Sequence, residues 1–198
     1  MQKRLHSSNH LLSKKGLNNS HLKQIIHYNQ KFQIMSTNFK SLELPKQKTV
    51  LGTILWSGLV AGVLDSLAGV IVFYIWFGLN PLQVLQFIAS GIYGPSAING
   101  GVYYIIAGLL LHFVIAYAVA IIYFYAYPKI GILGKYKVAA GIVYGLGIWL
   151  VMNLLILPQS NTPKSPFDAG LATVGIIWHM VLVGLPIALI TNKFYSTK

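Results

Sequence analysis

Four long stretches of hydrophobic residues interrupt an otherwise polar pattern along the chain. They cover about 51–78, 101–126, 137–157 and 169–190. Each reaches the ~20 apolar residues that an α-helix needs to cross the hydrocarbon core of a bilayer. The first stretch is long enough to require tilt, or an end outside the hydrocarbon. The pattern predicts an all-α integral membrane protein built as a bundle of four transmembrane helices.

The connection between the first two stretches, residues 79–100, has a helical pattern of its own. Asn80 followed by Pro81 is a typical helix start, and apolar residues then recur at helical spacing, at positions 82, 85, 89 and 92. This predicts a short amphipathic helix on the outer face, lying in the interface or tucked against the bundle. The glycines that follow it predict a tight turn back into the membrane, with a backbone cradle for an anion as the alternative.

The first 50 residues are polar and basic and lack a sustained helical period. We therefore expect residues 1–50 to form a disordered basic tail and residues 51–198 to form the transmembrane domain. Met35 begins a segment that resembles a natural start of translation. Residues 1–34 are thus either an upstream extension or a genuine part of the tail.

Lysine and arginine are distributed unevenly around the four stretches. Nine of the fifteen lie in residues 1–50. The connection 79–100 has none, 127–136 has two, 158–168 has one, and two more lie after residue 190. Because positive residues accumulate in cytoplasmic loops, we expect both termini and the 127–136 connection to face the cytoplasm.

The composition narrows the class of protein further. Only 9% of the residues are charged, compared with roughly 25% in soluble domains, and just three are acidic. The net charge of +12 suggests nucleic acid at first, but the basic residues lie in the tail and at the ends of apolar runs. We expect the lipid bilayer as the partner, and no nucleic acid. The absence of cysteine excludes disulfides, Cys-zinc sites, iron–sulfur clusters and covalently attached haem.

Three ionisable side chains lie near the middle of three different stretches. They are Asp65, His112 and His179. An aspartate at the centre of a membrane helix costs about 2.5–3.5 kcal/mol on insertion scales, so such groups normally face protein or water. Asn153 adds a further polar group in the third stretch. The sequence predicts an intramembrane polar cluster formed by these four residues.

Small residues mark the helix faces that carry these groups. They let helices approach closely, so each ionisable group lies where its helix is expected to contact another. Two interpretations stay open: the polar groups serve only to join helices, or they form a functional cluster. The candidate packing positions are Gly58, Gly62 and Gly69 in the first stretch, Gly108 in the second, Gly141 and Gly145 in the third, and Gly175 in the fourth.

The ligand chemistry of the cluster leaves three functions to compare. Histidine changes charge near neutral pH, so Asp65 with two histidines could bind or relay protons. Histidines on two helices of a bundle could instead hold a b-type haem, but the only arginine is Arg4 in the tail. A divalent metal bound by two His and one Asp is the third. We expect no cofactor and, since no Gly-x-Ser-x-Gly motif is present, no catalytic residues and no enzyme activity.

From Gly101 onward the chain resembles the YagU-like family of bacterial inner-membrane proteins. The resemblance rests on His112 in a long apolar helix, on the Tyr-Pro-Lys-Ile segment at 127–130 and on the Trp178–His179 pair. A Gly-rich third stretch ending in Leu-Ile-Leu-Pro at 155–158 continues it. The resemblance implies a bacterial inner-membrane location and a role in acid tolerance. The small-residue faces also permit a homo-oligomer.

Overall fold

The computed structural model of the protein describes residues 19–41 and 49–197. They belong to two units, one within Met1–Gln47 and one within Lys48–Lys198. The described residues contain helices and no β-strand, which confirms the all-α prediction. The α-helices are α1 (Asn19–Ser41), α2 (Val50–Phe77), α3 (Pro81–Tyr93), α4 (Val102–Ala126), α5 (Gly131–Lys135), α6 (Lys137–Val151), α7 (Leu157–Gln159), α8 (Ala169–Trp178) and α9 (Leu185–Tyr195).

Four helical segments of the second unit are long and apolar enough to cross a membrane. The first span is Val50–Phe77, the second Val102–Lys129, the third Lys137–Gln159 and the fourth Ala169–Tyr195. Each begins within one residue of the predicted start. The fourth ends five residues later than predicted, because Thr191 and Phe194 are buried in the bundle and extend its packed face.

The distribution of exposed and buried side chains in the bundle suits a lipid environment rather than water. Large apolar residues such as Leu67, Leu110 and Val143 point outward. The fully buried positions between helices are often small, as at Ala61, Ala120 and Ala188. Helices in lipid gain little from burying apolar surface, so close van der Waals contact between small residues stabilises them instead.

The four spans pack around a shared apolar core, and the fourth span contacts each of the other three. The first span lies between the second and the fourth, and the fourth also packs against the third. The third span also contacts the second, since the Tyr144 hydroxyl donates to the Val119 carbonyl at 2.6 Å. Polar side chains on the first, second and fourth spans can therefore meet at one junction.

Helix α3 is tucked against the bundle, which is one of the two placements that the sequence predicted. Asn80 caps its first turn and Gln83 completes a capping box. Further along, the backbone of α3 passes directly over Gly108 of the second span, where any side chain would collide with the Leu85 carbonyl. Gln86 donates to the Gly100 carbonyl and ties α3 to the turn that follows it.

Two π-helical turns widen the third and fourth spans. They cover Met152–Ile156 and His179–Gly184, and each ends two residues before a proline, Pro158 or Pro186. A proline inside a helix lacks the N–H that would bond four residues back, and its ring crowds that carbonyl. The wider turn relieves this crowding, and it places His179 at the start of an irregular segment.

The structure differs from the expected disordered tail over part of its length. Asn19–Ser41 form α1, while residues 1–18 and 42–48 lie outside the described residues. No Gly or Pro interrupts this segment, and residues 25, 28, 32 and 35 repeat apolar side chains at helical spacing. This period covers only four apolar positions, and most of the surrounding residues are polar, so the sequence pattern alone did not predict a helix here. The helix continues through Met35 without a break.

Candidate functional site

The carboxylate of Asp65 lies between two imidazole rings at the junction of the first, second and fourth spans. Its Oδ2 is 4.0 Å from Nδ1 of His112, and its Oδ1 is 3.8 Å from Nε2 of His179. The structure thus brings together three of the four polar groups singled out in the sequence. His112 follows Asp65 by 47 residues along the chain, and His179 follows His112 by 67.

The far nitrogen of each imidazole is held by a backbone carbonyl. His112 Nε2 lies 2.9 Å from the Gly62 oxygen, and His179 Nδ1 lies 2.7 Å from the Gly175 oxygen. A carbonyl oxygen only accepts hydrogen bonds, so both of these nitrogens carry a proton. In the neutral rings the nitrogens that face Asp65 are then unprotonated and can each accept a further proton.

Trp178 is a fourth member of the site that the sequence reading did not place there. Its indole N–H donates to Asp65 Oδ1 at 2.9 Å, and its ring stacks on His179 with centroids 5.1 Å apart. A signal for it existed, because a tryptophan in the middle of a span needs a partner for its N–H. Sequence spacing alone could not identify that partner, which lies on another helix.

Glycines bring the backbones close enough for these contacts. A side chain at Gly62 would meet Phe113 and Ala116 of the second span, beside His112. On the other side of the site, a side chain at Gly145 would meet the backbone of His179 and Met180. The third span contributes no acid or base to the cluster, but its close approach fixes the backbone position of His179.

Most of the predicted packing glycines lie at contacts between helices. Gly58 faces Tyr117, Gly141 faces the Gly184–Leu185 backbone, and Gly175 faces the Trp149 indole. Gly69 is different, because nothing lies within 4 Å of the position its side chain would take. Its place on the Asp65 stripe therefore leaves it at an open surface rather than at a helix contact.

Asn153 lies apart from the other polar groups. It is in the π turn of the third span, and its side-chain N–H donates to the Trp149 carbonyl one turn earlier at 2.9 Å. This hydrogen bond is made within the third span, not to Asp65 or to either histidine. It satisfies a local backbone group where the helix widens.

The two histidines are more enclosed than the acid they surround. The side chains of His112 and His179 are 10% and 13% exposed, while that of Asp65 is 26% exposed. One edge of the carboxylate therefore reaches the surface of the bundle. A charged carboxylate facing hydrocarbon is costly, so this edge favours contact with water or with a polar group.

The arrangement suits protons better than the two alternatives raised by the sequence. His112 Nε2, the nitrogen that commonly binds haem iron, is bonded to Gly62, and the carboxylate occupies the space between the rings. Among the described residues, no group of three His, Cys, Asp or Glu is arranged to hold a metal ion.

Comparison with protein-family models, with curated proteins and with solved structures found no match for this chain.

Proposed function

We propose that this multi-pass membrane protein binds and releases protons at the Asp65–His112–His179 cluster, without enzymatic activity. The observation that carries the proposal is the pair of imidazole nitrogens facing one carboxylate. Each of these nitrogens can accept a proton, because the other nitrogen of the same ring donates a hydrogen bond to a backbone carbonyl. The groups are acids and bases, and the chain has no cysteine to act as a nucleophile.

Counting charges shows why the cluster responds to protons. With both facing nitrogens unprotonated and Asp65 ionised, the cluster carries one negative charge. One added proton makes it neutral, and a second makes it positive. Because each proton changes the net charge of the cluster, the free energy of proton binding depends on the dielectric constant of its surroundings.

Access to the carboxylate supports proton exchange. The two separations from carboxylate to imidazole, 3.8 and 4.0 Å, exceed the 2.7–3.2 Å typical of hydrogen bonds. A small rotation of Asp65, or one water molecule, would close either gap. The Trp178 N–H holds one carboxylate oxygen, so the other oxygen is the freer of the two to exchange a proton.

The cellular setting of this activity is a second part of the proposal. The Trp178–His179 pair and the resemblance to the YagU-like family support a bacterial inner membrane and a role in mild acid stress. The lysine distribution supports cytoplasmic termini. Proton binding at mid-bilayer by histidines suits such a role, because histidine changes charge in the range of mild acid.

The orientation can be tested with fused reporters. An enzyme that is active only outside the cytoplasm should be inactive when fused after Lys198 and active when inserted near Ser96, between α3 and α4. A reporter that is active only in the cytoplasm is the control and should give the opposite pattern. Activity outside the cytoplasm at Lys198 would contradict the proposed orientation.

Proton binding can be followed through the stacked Trp178–His179 pair. An imidazolium next to an indole quenches its fluorescence, so acidifying the purified protein from pH 8 to pH 5 should dim Trp178. Trp149→Phe should keep this change and Trp178→Phe should remove it. Asp65→Asn should lose most of it, since an amide cannot neutralise an imidazolium. Quenching that is unchanged in Asp65→Asn would contradict a shared proton site.

A further inference from the structure

Helix α1 has an apolar face that is exposed in the part of the chain that the structure describes. Ile25, Tyr28, Phe32 and Met35 follow one another at intervals of three and four residues. All four side chains are exposed, Tyr28 by 71% and Phe32 by 57%. Side chains at this spacing lie along one side of a helix. An apolar stripe of this length in water is unfavourable, which points to a partner.

The charges on α1 indicate what that partner is. Lys23, His27 and Lys31 are exposed and follow one another at intervals of four residues, on a different side of the helix. Asn19–Ser41 contains no acidic residue, and further lysines flank it at positions 14, 15, 46 and 48. The helix therefore presents an apolar stripe beside a side that carries lysines and no acidic residue.

A second copy of the same helix fits this pattern poorly. Two α1 helices packed through their apolar stripes would bring lysines together with no Asp or Glu to pair with them. A surface with an apolar interior and negatively charged outer groups matches both the apolar stripe and the lysines. This is the chemistry of a bilayer that contains anionic lipids.

We propose that α1 lies along the membrane surface, with its Ile25–Met35 stripe among the acyl chains and its lysines on anionic headgroups. Residues 42–48 join α1 covalently to the first span, so the chain tethers α1 to a membrane-spanning segment. This inference concerns α1 alone and does not depend on proton binding at Asp65.

The natural absence of cysteine makes a direct test possible. The full-length chain with Phe32→Cys carries a spin label on the apolar stripe, and His27→Cys carries it on the basic one. In lipid nanodiscs containing phosphatidylglycerol, collisions with oxygen should be severalfold more frequent at position 32 than at position 27. Collisions with a water-soluble nickel complex should show the reverse. Discs of pure phosphatidylcholine should largely remove the difference.

Charge neutralisation provides the matched variant. Lys23→Gln with Lys31→Gln preserves helix propensity but removes two charges. Each lysine near an anionic surface strengthens membrane binding about fivefold. The equilibrium constant for binding of α1 to the anionic bilayer should therefore fall about 25-fold in the double variant. Equal accessibility at both positions in anionic discs would overturn the proposal. So would spin–spin broadening between copies, which indicates self-association, or immobilisation of the label by an added oligonucleotide, which indicates a nucleic-acid partner.

Discussion

Replacing Gly145 by alanine is expected to destabilise the bundle by about 1–3 kcal/mol, as overpacking of a close contact does. A Cβ atom there would lie 2.6 Å from the Met180 Cα and would collide with the His179 carbonyl. Both are backbone atoms, so no rotation of a side chain can relieve the contact. The fourth span must move away, and it carries His179 with it.

Gly147 provides a control on the same helix, since nothing lies within 4 Å of its Cβ position. Alanine favours helix over glycine by about 0.8–1 kcal/mol, so Gly147→Ala should be neutral or slightly stabilising. Unfolding of the purified variants by a denaturing detergent, followed by circular dichroism, measures both effects. If Gly145→Ala and Gly147→Ala unfold together, the third and fourth spans are not in the close contact described above.

Under the proposed function, removing either histidine is expected to abolish most of the protection that the protein would give against mild acid, and removing both should add little. His112 and His179 face the same carboxylate, so in the proposed site each would lose its role when the other is absent. Residues in one network typically show interaction energies of 0.5–3 kcal/mol rather than independent effects. Survival of cells expressing His112→Ala, His179→Ala or the double variant measures this directly.

Asn153→Ala is the matched control, because it removes an intramembrane polar group whose partner lies within its own span. It should leave survival unchanged. Each variant should be checked for membrane insertion by immunoblot, and for proton uptake when the purified protein is shifted from pH 8 to pH 5. Additive losses, or a well-inserted double variant with normal survival and uptake, would leave the histidines with a packing role only.

The cluster illustrates how far sequence reasoning reaches in a membrane protein. Asp65, His112 and His179 were recognisable because ionisable groups are rare inside spans and because their depth was similar. Their neighbours were harder to identify. The Trp178 N–H, the Gly62 carbonyl and the Gly175 carbonyl complete the site, and their roles depend on the rotation of each helix about its axis. An apolar helix in lipid gives little periodic signal from which to read that rotation.

The same limit explains the positions that fell outside the site. Asn153 was grouped with the cluster by its polarity and Gly69 by its helical stripe, yet the side chain of Asn153 donates to a carbonyl of its own span. Gly69 meets open space. Which of the four spans contact one another depends on how well their small-residue faces fit together. Composition alone does not show which pair of faces fits best.

The sequence by itself determined the number of spans, their starts and the helix cap at Asn80, because the length of an apolar run and local capping chemistry are properties of contiguous residues. Tertiary structure decided which spans contact one another, the placement of α3 over Gly108 and the pairing of Trp178 with Asp65. These depend on distances between residues far apart in the chain. They are set by how closely two backbones can approach, which only the packed bundle defines.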